Sequence, residues 1–208
     1  HQVEGWGDFA LRDWLHDLTA LPVTIENDAN TAALGEASCG AGRGFNPAFY
    51  MNMGSGVGGG LVLDGKIYHG DMPGEAEVGH LRLDSEGTTV ESNCSGWAVD
   101  RAIRDAIIDK PDSIFAQLIG EEKFGEAKYL AAALEQGDPI AQHILGAVTD
   151  NLSLALSHVT HLFHPQVISL GGGLSLVGHP LREGIAEKLP GFLMEVYGTG
   201  PEIKLAEL

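Results

Sequence analysis

A run of small residues set between two apolar stretches does most to limit what this chain can fold into. Phe49 to Met53 is a short apolar run that reads as a buried strand. Gly54-Ser55-Gly56-Val57-Gly58-Gly59-Gly60 follows at once, and Leu61 to Leu63 is apolar again. Asp64-Gly65 is a two-residue turn of the type I′ kind, so Lys66 to Tyr68 are expected to return as a partner strand. Glycines remove side chains where something must approach the backbone. Backbone N–H groups in such a loop can cradle a phosphate, with the Ser55 hydroxyl as an added donor. A tight strand-to-hairpin turn is the other use of the same residues. The spacing matches neither the dinucleotide fingerprint nor the P-loop, which needs Lys-Ser/Thr after its last glycine. The stretch closes on Glu77-Val78-Gly79-His80, an acceptor and a switchable donor/acceptor three residues apart.

Charge narrows the partners. Twelve basic against 29 acidic residues give a formal charge of −17, which argues against a nucleic-acid footprint on this portion. A lone phosphate ligand is different, because backbone amides and a metal ion can hold it. The 208 residues can bury a substantial core, as one domain or two small ones. No apolar run approaches the roughly 20 residues of a membrane span, and no signal peptide is read at the start. Cys39 and Cys94 are too few for a disulfide framework or a thiolate zinc site, which points to a reducing, cytoplasmic compartment.

Along the chain, apolar residues up to Leu21 fall at helical spacing, and Pro22 is expected to end that helix. Val23 to Glu26 reads as a short strand with Asn27 and Asp28 at its carboxyl end, where open α/β sheets bind ligands. Simple N-capping of the following helix, Thr31 to Ala37, is the competing use of Asn27-Asp28. Gly40 to Pro47 is a turn-rich link and the candidate domain boundary, dividing residues 1–46 from 47–208. His80 to Asn93 reads as polar and irregular. A helix is expected from Ser95 to Ile108, then two more over Ile114 to Ile119 and Ala127 to Gln136. Asp138-Pro139 should open a long helix to Phe163, with Ile144, Val148, Leu152, Leu156, Val159 and Leu162 as its buried stripe. His158, His161 and His164, near its end, read as surface or core histidines rather than metal ligands. Val167 to Leu170 should be a buried strand running into Gly171-Gly172-Gly173, with a helix from Leu174 to about Lys188. There a ligand could lie against bare backbone with its anionic part facing a helix dipole.

Four segments in this order resemble the ROK family of repressors and sugar kinases: Glu26-Asn27-Asp28-Ala29-Asn30 with Gly35-Glu36, Gly54 to Gly60, Glu77 to His80, and Gly171-Gly172-Gly173-Leu174-Ser175. The resemblance covers nearly the whole chain. It implies the α/β actin-like ATPase fold, the ribonuclease H-like architecture of hexokinases and Hsp70, with two α/β domains of which the first is only partly present. It also implies an ATP- and Mg²⁺-dependent kinase acting on a hexose, in the manner of a glucokinase, commonly as a homodimer. Asn27 and Asp28 would bind sugar hydroxyls, with Asp28 as general base. Glu77, His80 and Glu91 would complete the sugar site. Gly54, Ser55, Gly56 and Gly58 would form a phosphate loop, and Gly171, Gly172 and Gly173 the adenosine loop. A hydroxyl is a poor nucleophile until a carboxylate within about 3 Å accepts its proton, so the assignment makes chemical sense.

The pattern departs from the family at three places. The early Asp-x-Gly-x-Thr phosphate motif and the closing helix are not found. The cysteine-rich zinc knuckle is replaced by Leu81 to Val90, without a cysteine, so no structural zinc is expected. The residues given are therefore expected to be a piece of a longer protein and poorly active alone. A sugar-sensing repressor, or a non-catalytic sugar-binding protein, would use the same cleft without turnover. Glucose, N-acetylglucosamine, N-acetylmannosamine and fructose all suit the motif set.

Overall fold

The structure, a computed structural model, describes residues 6, 7, 9–71, 74–122 and 124–208. The part of the N-terminal helix reading that falls on residues 1–5 and 8 lies outside them. One five-stranded sheet organises the chain. β1 (Ala48–Met53) pairs antiparallel with β2 (Val57–Leu63), which turns at Asp64-Gly65 into the short β3 (Lys66–Ile67). Both turn residues have positive φ, 52° and 72°, as the type I′ reading requires. β4 (Val167–Gly171) lies parallel to β1 on its other side, and β5 (Glu202–Leu205) is parallel to β4, giving the order β3-β2-β1-β4-β5.

Side chains alternate across β1, so the sheet is covered on both faces. Phe49, Met51 and Met53 point into the main core with Ile168, Leu170 and Ile203. That core is roofed by α3 (Val90–Cys94), α4 (Gly96–Ile108), α7 (Pro139–Phe163) and α8 (His179–Lys188). Tyr50 and Val62 point the other way, to Ala33 of α2 (Asp28–Cys39). This second layer is thin because α2 presents alanines to glycines. A Cβ on Gly60 would stand 2.6 Å from the Ala33 Cβ, and one on Gly58 3.3 Å from the Ala29 Cβ. On the opposite face, Gly59 lies under the Ala76 carbonyl and the Phe49 ring. The loop expected over Gly54 to Gly60 thus ends at Gly56. The last three glycines are strand residues, bare because the chain's own elements press on them.

Asp138 explains how the helical half is tied together. It is buried, and its Oδ1 accepts from the Ile140 and Ala141 N–H groups at the start of α7. Its Oδ2 accepts from Phe115 N–H in α5 (Ile114–Ile119), so one carboxylate serves two helices. A 3₁₀ turn, Glu126–Tyr129, leads into α6 (Leu130–Glu135). It is held to α4 by a two-pronged Arg104–Glu126 pair and by Asp100, which accepts from Ala127 N–H.

Several expectations need correction. Val23 to Glu26 forms no strand; a strand needs a laddered neighbour, and among the described residues none lies beside this segment. α1 (Leu11–Thr19) stops at Ala20, which takes the left-handed conformation, before Pro22 is reached. The 80–93 interval is not wholly irregular, since Thr89 and Ser92 build a reciprocal capping box that starts α3. Leu162 is 72% exposed, so the buried stripe of α7 ends a turn earlier. After Gly173 a 3₁₀ turn, Gly173–Val177, intervenes, and α8 begins only at His179, past the positive-φ Gly178. The glycines therefore do not abut an α-helix N-terminus.

Candidate active site

In a parallel pair the carboxyl ends of both strands lie at the same edge, and here those ends are Met53 and Gly171. The turn after β1 and the turn after β4 consequently meet. They line one cleft of ≈ 370 Å³ through Gly54, Ser55 and Gly173. Trp97 and Asp100 from α4, Lys128, and the apolar Leu174, Leu176 and Val177 also line it. A Cβ on Gly173 would meet nothing within 4 Å, so its backbone is open to an occupant. Gly171 and Gly172 are different. A Cβ on Gly171 would stand 2.2 Å from the Tyr50 hydroxyl, and one on Gly172 2.6 Å from Asn52 Oδ1, so their bareness serves the β1–β4 junction. Lys128 pairs with Glu122, and its ammonium also lies 5.0 Å over the Tyr129 ring.

The β1–β2 turn is gripped from two sides. Gly96 N–H donates to the Gly54 carbonyl at 2.7 Å, and Val57 N–H donates to Glu91 Oε2 at 3.0 Å. A Cβ on Gly56 would come within 2.6 Å of that same carboxylate oxygen. Gly79 presses on the Val57 carbonyl, which anchors the 3₁₀ turn Val78–His80 to the start of β2.

A second cleft, of ≈ 850 Å³, is lined by Thr24 to Asn27, Asn30, His69 to Asp71, Gly74, Glu75 and Glu77. Asn27 is the N-cap of α2: its Oδ1 accepts from Ala29 and Asn30 N–H groups, leaving its amide nitrogen as the side chain's donor. Asp28 is the first residue of the helix and is exposed. The capping reading thus holds for Asn27, while the strand end on which the other reading placed the pair is not formed. Glu77 joins Asn27 in this cleft; His80, exposed at the end of its 3₁₀ turn, and Glu91, on the glycine turn, do not line it.

Sequence reasoning missed the polar group behind these residues. His69 reaches Glu26 Oε2 through Nε2 at 3.2 Å and Glu75 Oε1 through Nδ1 at 2.9 Å. The Asn30 amide nitrogen donates to both carboxylates, at 3.1 and 2.8 Å. Glu75 is held below the usual carboxylate range, first by its own backbone N–H, then by Asn30, with smaller help from His69 and Gly74 against the cost of burial. Glu26 and Asn30 stand one helical turn apart in sequence, but nothing local announces a partner 45 residues away. Cys94 is fully buried and its thiol is pushed up to about 12 by desolvation, so it offers no thiolate to a metal. His161 and His164 pack edge-on against the Tyr197 ring.

The chain matches the ROK family over residues 2–208. The chain belongs to the ROK family. It is 33% identical to the glucokinase of Thermotoga maritima over 91% of this chain and 62% of that protein. It is 30% identical to the glucokinase of Halalkalibacterium halodurans, over 98% of this chain and 64% of that protein. Among solved structures, a ROK family glucokinase from Streptomyces griseus in complex with glucose and AMPPNP superposes with a TM-score of 0.82. It is 29% identical, over 95% of this chain and 67% of that one. The fold is therefore the mixed α/β, actin-like ATPase fold expected from the motifs. The chain spans under two thirds of the length of the curated relatives it matches.

Proposed function

We propose that this chain is the larger part of an ATP-dependent hexose kinase. The observation that carries the reading is the meeting of two glycine turns, Gly54-Ser55 and Gly173, in one cleft, in a chain whose other cleft is lined by Asn27 and Glu77, groups able to bind hydroxyls. The residues fit a nucleotide: backbone for phosphates at Ser55 and Gly173, beside Gly54, whose own N–H closes the turn onto the Gly56 carbonyl, and the Trp97 ring with Leu174, Leu176 and Val177 for a flat apolar base. Bound ATP with Mg²⁺ would supply the phosphoryl group and neutralise its charge. Asn27 and Glu77, which line the larger cleft, and Asp28 beside Asn27 fix the sugar hydroxyls, and Asp28 accepts the proton of the hydroxyl that attacks. Catalysis of this kind is mostly positioning and charge stabilisation, which suits a site built from turn amides.

The test is turnover in the full-length protein with ATP and each of glucose, N-acetylglucosamine, N-acetylmannosamine and fructose. Asp28→Asn should keep sugar affinity within a few fold while turnover falls about 10²- to 10⁴-fold, the range for a positioned base. Near-normal turnover in that variant removes Asp28 as the base. Tight sugar binding with no phosphoryl transfer to any of the four would move the reading to a sugar-sensing repressor.

A further inference from the structure

The cluster of Glu26, His69 and Glu75 has a use that the kinase reading does not require. One ligand atom from each of these residues lies within 4.8 Å of the others. The cluster's internal hydrogen bonds leave two problems unsolved. A neutral imidazole has one N–H and one lone pair, yet both ring nitrogens of His69 face carboxylate oxygens. In that neutral form one carboxylate meets a lone pair, a conflict that either a second ring proton or a metal cation removes. The second problem is Asn30. Its side chain is 3% exposed and reaches into the cluster through its nitrogen, but its Oδ1 is buried without a hydrogen-bond partner. An orphaned buried acceptor is expensive, and in a cleft wall it points to a donor brought by an occupant.

We propose that Glu26, His69 and Glu75 bind a divalent transition-metal cation of the zinc class, with Asn30 accepting from a water on the ion. Two carboxylates and a neutral imidazole carry a net charge of −2, which a divalent cation cancels. Imidazole nitrogen with carboxylate oxygen is a donor set that zinc accepts, and three protein ligands plus water is its open-site arrangement. The outer hydrogen bonds that such ligands need are in place. Glu26 Oε1 accepts from Asn27 N–H at 2.8 Å, and Glu75 Oε2 accepts from Gly74 N–H at 3.1 Å. The coordinated water donates to Asn30 Oδ1 and removes the orphan. Glu26 precedes Asn27 and Asp28 directly, and Glu75 stands two residues before Glu77. The ion therefore ties the start of α2 to His69 and to Glu75, both on the wall of the larger cleft. This site is exchangeable and open, unlike a cysteine-built structural zinc.

The experiment uses the full-length protein carrying Cys39→Ser, which removes the exposed thiol as a competing ligand. Zn²⁺ binding is measured by equilibrium dialysis after chelator treatment, without nucleotide or sugar, and Co²⁺ binding by its visible absorption. One equivalent of Zn²⁺ should bind. His69→Ala and Glu75→Gln should each weaken it by about tenfold or more and abolish the Co²⁺ band, whereas Asp71→Asn, in the same cleft but outside the cluster, should bind within twofold. His69 is an exposed side chain, so its variant remains informative if Glu75→Gln fails to fold. No retained Zn²⁺, or binding that His69→Ala leaves unchanged, overturns the proposal. Because the readout is metal binding alone, a failure of the kinase reading is seen separately in the turnover assay.

Discussion

A Cβ on Gly60 would meet the Ala33 Cβ at 2.6 Å, the Ala29 carbonyl oxygen at 3.0 Å and the Asn30 Cα at 3.1 Å. Two of those three atoms belong to helix backbone, which cannot swing aside as a side chain does. Replacing glycine in a strand by alanine gains about 0.5–1 kcal/mol of backbone entropy, whereas forcing an extra methyl into a packed layer costs about 1–3 kcal/mol. The clash wins, so Gly60→Ala should destabilise the protein by about 1–2 kcal/mol in urea unfolding. Gly146 is the contrast, since it lies inside α7 and a Cβ there meets nothing within 4 Å. Gly146→Ala should stabilise by about 0.5–1 kcal/mol. An unchanged midpoint for Gly60→Ala would mean that α2 is not seated where the structure has it. The glycine run was conspicuous in the sequence, but its division was not. Gly54 and Gly56 turn, Gly58 to Gly60 make room for α2 and the Ala76 segment, and only three-dimensional packing separates the two uses.

At the scale of elements, the helices were legible wherever a cap and a stripe agreed. Ile114–Ile119 and Pro139–Phe163 stand at the expected limits because Ser113 and Asp138 stop the backbone where the apolar spacing starts. Val23 to Glu26 failed as a strand for the opposite reason: its apolar character is local, whereas a ladder is not. The α8 start was misplaced because Gly178 and Pro180 mark the real boundary more strongly than Gly173 does. Asp138 gives the sharpest element-level test. Asp138→Ala removes the acceptor for three N–H groups, Phe115, Ile140 and Ala141. Loss of a cap costs about 0.5–2 kcal/mol and a buried unpaired donor about 1–3 more, so a loss of about 2–4 kcal/mol is expected, with the urea m-value unchanged. Asp138→Asn should fall between, because its amide can still accept at the α7 end but turns a donor toward Phe115. A loss under 0.5 kcal/mol for the alanine variant, the lower limit for a cap, would show that the two helices do not share this group.

Across the whole molecule, Glu91 ties α3 to the β1–β2 turn whose Gly54 and Ser55 line the smaller cleft. The motif order alone placed Glu91 among the sugar groups. In the fold, its Oε2 accepts from Val57 N–H and backs onto Gly56, while the cleft beside that turn is the one lined by Gly54, Ser55 and Gly173. Local sequence could not show this, because Glu91 and Val57 are 34 residues apart and the contact exists only once α3 has docked on β2. A hydrogen bond to a charged acceptor contributes about 1.5–3 kcal/mol, enough that loosening the turn should be felt by whatever binds against its amides. Glu91→Ala in the full-length protein is therefore expected to weaken ATP binding by about tenfold, which corresponds to ~1.4 kcal/mol, with sugar affinity held within a few fold. Calorimetry with each ligand separately reads the two effects apart. A variant that loses sugar affinity and keeps ATP affinity would return Glu91 to the sugar site and leave the Val57 contact a bystander.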